Sequence, residues 1–137
     1  KGIFIYTDGG ARGNPGPSGA GAAVYKDGEE VAHVSKYLGV QTNNWAEYAA
    51  LILALTSAHR VLGSPISDKV TVRMDSELIV KQMKGEYRVK DKELKKQHEK
   101  VQNLISEAFP DIVFEHVPRE ENKTADQYAN DAMDRGE

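Results

Sequence analysis

The chain has 137 residues, no cysteine and a formal net charge of −3. That length accommodates one ordinary domain, and the missing thiols exclude disulfides, cysteine nucleophiles and thiolate zinc sites together. The longest uncharged apolar stretch, 48–58, falls far short of the ~20 residues a membrane span requires, so the expectation is a soluble, cytoplasmic monomer with one domain over residues 1–137.

Ile3, Phe4, Ile5, Tyr6 and Thr7 form a β-branched and aromatic run ending at Gly9-Gly10, which predicts a strand and then a turn. Six glycines and two prolines lie between residues 9 and 21, a composition that predicts a loop. Strands are expected at 21–25 and 30–38, joined at Asp27-Gly28, a dipeptide suited to a type I′ hairpin. From Trp45 to Leu62 the apolar residues fall at helical spacing and lie almost all round, so this segment predicts a buried central helix. Residues 69–74 alternate, with Val70, Val72 and Met74 on one face and Thr71, Arg73 and Asp75 on the other. Ser76 is placed to cap a short helix running to about Met83. A second helix is expected at 92–108, a last strand at 111–117, and a terminal helix opened by Asn122 with Ala125, Tyr128, Ala129 and Ala132 on its inner stripe. The order βββαβααβα predicts an α/β domain on a five-stranded mixed sheet, three strands antiparallel and the later ones parallel.

The charge is unevenly spread. Residues 81–100 carry eight basic and four acidic side chains, on an otherwise acidic chain. Such a segment could track a phosphate backbone; its plain reading is a solvated helix face with pairs such as Glu93 with Gln97 and Asp91 with Lys95.

Four carboxylates stand at the edge of the expected core. Asp8 follows the first strand, Glu47 is the one charge in the first turns of an apolar helix, Asp75 follows the fourth strand, and Asp126 borders the last helix's inner stripe. Acids so placed are costly unless something cationic satisfies them, and a set without cysteine or histidine suits hard cations such as Mg²⁺ or Mn²⁺. Each also has a local reading. Asn44 and Glu47 have capping-box spacing, Asp75 and Asp126 could favour helix dipoles, and Asp8 could be a turn residue. Those readings do not account for all four standing where a mixed sheet would gather them.

Tyr6-Thr7-Asp8-Gly9-Gly10, Gly13-Asn14-Pro15-Gly16-Pro17, Thr42-Asn43-Asn44-Trp45-Ala46-Glu47, Met74-Asp75-Ser76 and Asn122-Lys123-Thr124-Ala125-Asp126 together resemble type 1 ribonuclease H, in the right order and over essentially the whole chain. The resemblance implies the ribonuclease H-like fold and an endonuclease that cuts the RNA strand of RNA/DNA hybrids, leaving 5′-phosphate and 3′-hydroxyl ends. It also implies that Asp8, Glu47, Asp75 and Asp126 hold two Mg²⁺ ions, with Mn²⁺ as substitute, about 4 Å apart, Asp8 bridging them. Asn14, Asn43 and Asn44 match positions that contact the minor groove and 2′-hydroxyls, and Thr42 with Asn43 a phosphate of the DNA strand. Arg12 and Asn122 join the expected nucleic-acid contacts.

Three departures from the family pattern stand out. Arg119 occupies the loop where many members carry a histidine, and is assigned an assisting catalytic role; His116 reads as a strand residue. Only residues 85–91 separate the second and third helices, so the basic handle of many bacterial members is missing. Glu77 stands where some members place a glutamine that touches the nucleic acid. The competing readings are a DNA-directed nuclease or integrase of the same superfamily, which would lack the asparagine contacts to 2′-hydroxyls, and a non-catalytic nucleic-acid-binding module, in which four acids facing phosphate without a cation would repel the ligand.

Overall fold

The computed structural model describes residues 2–63 and 65–137. Its first strand, β1 (Ile3–Ala11), lies between two neighbours of opposite sense, antiparallel to β2 (Gly16–Lys26) and parallel to β4 (Val70–Met74). β3 (Glu29–Gln41) pairs antiparallel with β2, and β5 (Ile112–His116) pairs parallel with β4, giving the sheet order β3-β2-β1-β4-β5. This is the mixed five-stranded sheet expected from the order of elements. His116 is a strand residue, as its place in the alternation implied.

Helix α1 (Asn43–Leu62) covers one face of the sheet and packs on α3 (Lys92–Ala108). α4 (Lys123–Arg135) covers β2 and β3 on the other face, and α2 (Glu77–Met83) links β4 to α3. Ile3, Ile5, Val24, Tyr48, Leu51, Leu55, Val70, Val72 and Met74 are fully buried in the core between sheet and α1. Burying apolar side chains of this size contributes roughly 1.5–3 kcal/mol each. Beside the start of α4 a groove of about 850 Å³ stays open, lined by Phe4, Tyr6, Tyr25 and Arg73 and by residues 120–124. There Arg73 lies over the Phe4 ring (4.6 Å to its centre), donates to the Tyr6 hydroxyl (2.7 Å) and pairs with Glu115 (3.0 Å), shielding the aromatic floor.

The structure corrects the reading of residues 9–21 as a loop. β1 runs on through Gly9 and Gly10 to Ala11, and β2 begins at Gly16, so only residues 12–15 turn. Glycine is there because helices need the space. A Cβ on Gly9 would strike the Ala46 carbonyl of α1, and one on Gly21 the Ala125 carbonyl of α4. These glycines are flat strand surface on which helix backbones rest.

Asp27 and Gly28 both have positive φ (53° and 82°), as a type I′ hairpin requires. The cap of α1 is Thr42, whose Oγ1 accepts from the Trp45 N–H at 3.2 Å, so the helix opens two residues before Trp45. Ser76 caps α2 as expected, accepting from the Ile79 N–H. The pairs anticipated on α3 form differently: Asp91 caps the helix by accepting from the Leu94 N–H, Glu93 pairs with Lys96, and Gln97 turns inward to donate to the Trp45 carbonyl. No helix among the described residues is long and apolar enough to cross a membrane.

Candidate active site

The site forms where β4 stops and β1 continues. Thr7 pairs with Met74 in the parallel ladder, so Asp8 and Asp75 leave adjacent strands level with each other. Strand ends at such a divergence are where α/β sheets open a crevice. Gly9, next to Asp8, carries the weight of α1 at Ala46, and Glu47 is the following residue. Gly21 stands opposite Asp8 in the β1–β2 ladder and carries α4 at Ala125, with Asp126 following. Two glycines therefore let two helices, from opposite faces, bring an acid each to Asp8.

Carboxylate oxygens of Asp8, Glu47 and Asp75 lie within 4.8 Å of one another. Asp126 stands outside that trio but close enough to Asp8 to raise its carboxyl. Asp8 is 8% exposed and Glu47 9%, so the charges have little water to solvate them. Burial, the neighbouring Asp126 carboxyl and the charge of Asp75 push the Asp8 carboxyl up to about 8, against the lowering effect of Arg119. Glu47 is held well above the usual carboxylate range by burial and then by Asp8 and Asp75; the Gly9 N–H, which donates to its Oε1 at 3.3 Å, opposes this. Asp75 is raised by burial, while Arg119 and Asn122 draw it back. An all-oxygen donor set this crowded fits a hard divalent cation, which would replace the missing positive charge.

The local alternatives fail for Glu47 and Asp8, while Asp126 does stand in the first turn of α4. Glu47 accepts from Gly9, not from Asn44, so there is no capping box. Asp8 is inside a strand and not in a turn. Asn122 opens α4 without a side-chain cap; its amide turns inward, donates to the Thr7 carbonyl at 2.9 Å and lies close enough to Asp75 to lower its carboxyl. At 1% exposure its side chain is turned into the protein against β1, away from the surface where the expected nucleic-acid contact would lie.

Asn14, Thr42, Asn43 and Asn44 gather at the start of α1. Asn43 Oδ1 accepts from the Ala11 N–H at 2.8 Å, and Asn14 Oδ1 accepts from the Asn43 N–H at 3.0 Å. Both amides thus use their oxygens inside the protein and keep their NH₂ groups as donors. Asn14, Thr42 and Asn44, with Trp45 and the first turn of α3, line a recess of about 540 Å³. Arg12 does not join them. Its guanidinium reaches α4, 2.8 Å from Asp134 and 3.2 Å from Asn130 Oδ1. Arg119 lies in a single 3₁₀ turn, Arg119–Glu121, close enough to the acids for its charge to act on Asp8 and Asp75.

One supporting pair was not anticipated from sequence. Tyr48, beside Glu47, donates its buried hydroxyl to Gln82 Oε1 at 2.7 Å and so ties α1 to α2. A tyrosine inside an otherwise apolar helix, with a glutamine on the next helix, was the available signal.

Comparisons with known proteins agree with this geometry. A family model described as reverse transcriptase-like matches residues 6–132. A bifunctional protein of Mycobacterium tuberculosis is 46% identical over 134 residues, covering 96% of this chain and 35% of the relative. The ribonuclease HI of Halobacterium salinarum is 39% identical over 133 residues, covering 96% of this chain and 64% of the relative. The chain therefore spans about a third of the mycobacterial relative and under two-thirds of the halobacterial one. Among solved structures, LC11-RNase H1 in complex with an RNA/DNA hybrid superposes with a TM-score of 0.92 at 48% identity, covering 97% of each chain.

Proposed function

The chain belongs to the type 1 ribonuclease H family, and on that premise we propose that it hydrolyses the RNA strand of RNA/DNA hybrids, as a monomeric cytoplasmic domain, leaving 5′-phosphate and 3′-hydroxyl ends. The observation that carries this reading is the carboxylate cluster of Asp8, Glu47 and Asp75, with Asp126 near Asp8, beside the Asn14 and Asn43 amides whose NH₂ groups remain as donors.

Asp8, with Glu47 and Asp75 on one side and Asp126 on the other, would together with those acids hold the metal ions. Bound Mg²⁺, or Mn²⁺ in its place, supplies an activated water and neutralises charge on the phosphate and the departing 3′ oxygen. The protein's own groups fix geometry. The Gly9 N–H orients Glu47, and Asn122 lies close to Asp75 while resting on β1. Arg119 presents a guanidinium, a cation with donors and no acceptor; it stabilises negative charge at the phosphate or on the product.

The NH₂ groups of Asn14 and Asn43 suit acceptors in the minor groove, pyrimidine O2, purine N3 and the 2′-hydroxyl oxygen, and the last is what tells RNA from DNA. Asn44 adds to that contact, Thr42 with Asn43 holds a DNA-strand phosphate, and Lys84, Lys90, Lys92, Lys95 and Lys96 follow the backbone.

The test is cleavage of a hybrid with each strand labelled in turn, with Mg²⁺ and with excess chelator. Mg²⁺-dependent cutting of the RNA strand alone supports the reading; cutting of the DNA strand, or of duplex DNA, overturns it.

A further inference from the structure

Arg12 occupies the short turn between β1 and β2, which also carries Asn14. The turn is tied to α1 on one side, through Asn14 to the Asn43 N–H (3.0 Å) and through Asn43 to the Ala11 N–H (2.8 Å). On the other side Arg12 ties it to α4. Nη1 lies 2.8 Å from the Asp134 carboxylate, and Nη2 lies 3.2 Å from Asn130 Oδ1 and 3.5 Å from the Asn130 carbonyl. Asn130 in turn donates Nδ2 to the Asp126 carbonyl at 3.0 Å. One side chain thus connects the turn that bears Asn14 to the turn of helix that bears Asp126.

We propose that Arg12 is a positioning residue: it clasps α4 and holds the β1–β2 turn so that the Asn14 and Asn43 amides stay aligned, and it does not itself neutralise a phosphate. The proposal rests on the ribonuclease H reading for the ligand those amides meet. Three observations support it. A planar guanidinium with both terminal nitrogens on acceptors of one helix is fixed in direction, which a single-point contact would not achieve. Its charge is matched by Asp134, so a phosphate would have to displace an existing partner. The Arg12 backbone N–H also donates to the Pro17 carbonyl at 2.8 Å, so the residue that reaches α4 is itself locked into the turn. Arg12 and Asp134 are 48% and 65% exposed, which makes the clasp a modest source of stability and leaves alignment as its main effect.

Arg12→Met, Asp134→Asn and the exchange Arg12→Asp/Asp134→Arg separate the possibilities. Hybrid KM and kcat are measured at several salt concentrations, and the side-chain NH₂ resonances of Asn14 and Asn43 are followed in the free protein. A clasp raises KM about threefold in both single variants, leaves kcat within a factor of two, and leaves the slope of log KM against log salt unchanged. The exchange then recovers most of the loss, and both amide resonances move in each single variant and return in the exchange. A slope lowered by about one unit in Arg12→Met, with Asp134→Asn at or below the wild-type KM, makes Arg12 a phosphate contact and overturns the proposal. Unchanged KM and amide resonances in both single variants overturn it equally. If the wild-type protein does not cleave hybrid, the functional reading falls, and the amide resonances alone decide the clasp.

Discussion

The acid cluster and the amide recess lie on neighbouring parts of one surface and are held in opposite ways. Around Asn14 and Asn43 each carbonyl oxygen already accepts from a backbone N–H, so the recess is internally satisfied and its free donors are fixed in place. Around Asp8 the groups oppose one another. Three carboxylates crowd within 4.8 Å, a fourth stands near Asp8, and burial and neighbouring acids raise the carboxyls of Asp8, Glu47 and Asp75. Recognition is preorganised, while the reactive centre is under electrostatic stress that a cation relieves. The two regions should therefore answer differently to the same perturbations.

The largest contrast comes from removing one charge. Asp8→Asn should lower kcat at least about 10³-fold, equivalent to ~4 kcal/mol of transition-state stabilisation, yet raise the melting temperature of the metal-free protein, because repulsion is relieved. Asn43→Ala should do the reverse, lowering stability by about 1 kcal/mol through the orphaned Ala11 N–H and raising hybrid KM while kcat changes less. Kinetics and thermal melts on both variants measure this, and a destabilised Asp8→Asn would mean the cluster is not strained.

Next in size is the support beneath the acids. Gly9→Ala and Gly21→Ala should each destabilise by about 1–3 kcal/mol by overpacking and reduce turnover, since they push Glu47 or Asp126 away from Asp8. Gly10→Ala, where a Cβ meets nothing within 4 Å, should be close to neutral. Urea melts of the three variants decide whether position or mere glycine content matters.

The proton balance gives a further contrast. Asp8, Glu47 and Asp75 bind protons more tightly folded than unfolded, where carboxyls titrate near 4. Their protonated forms stabilise the fold fully below about pH 4, and that contribution is lost as pH rises toward 8. Metal-free melting temperature should fall across that window, and Asp8→Asn should flatten the fall. A pH-independent profile in the wild-type protein would contradict the strained cluster.

Smaller effects belong to the charges around the site. Arg119→Ala should lower kcat more than it raises KM, with little change in salt dependence. Neutralising two of Lys84, Lys90, Lys92, Lys95 and Lys96 should weaken binding and flatten the salt slope by up to roughly 1–2 units. Steady-state kinetics at several salt concentrations separate the two, and an unchanged slope returns 81–100 to a solvated helix face.

The elements of this fold were legible wherever side chains declare a period. The buried, nearly all-apolar helix α1, the alternation at Val70, Val72 and Met74, and the Asp27-Gly28 hairpin all stand as expected. What misled was glycine, which signals a turn in composition but here marks strand surface pressed by helix backbones, a contact that exists only between distant segments. The same limit explains the contacts at the site that the sequence does not foreshadow. Asp8, Glu47 and Asp75 were legible as buried-edge acids that the sheet gathers. By contrast, Asn122 turning inward to Thr7 and Arg12 reaching Asn130 and Asp134 depend on partners more than a hundred residues away in sequence.

The most direct test of the strained cluster is one Mg²⁺ titration near pH 7.5, in which melting temperature and RNA-strand cleavage are followed on the same samples of wild-type protein and Asp8→Asn. The account predicts that both quantities rise together with Mg²⁺ in the wild-type protein, and that Asp8→Asn starts from a higher melting temperature, gains little from Mg²⁺ and does not cleave. Cleavage persisting in excess chelator, or an Asp8→Asn protein that Mg²⁺ stabilises and activates like the wild type, would contradict it.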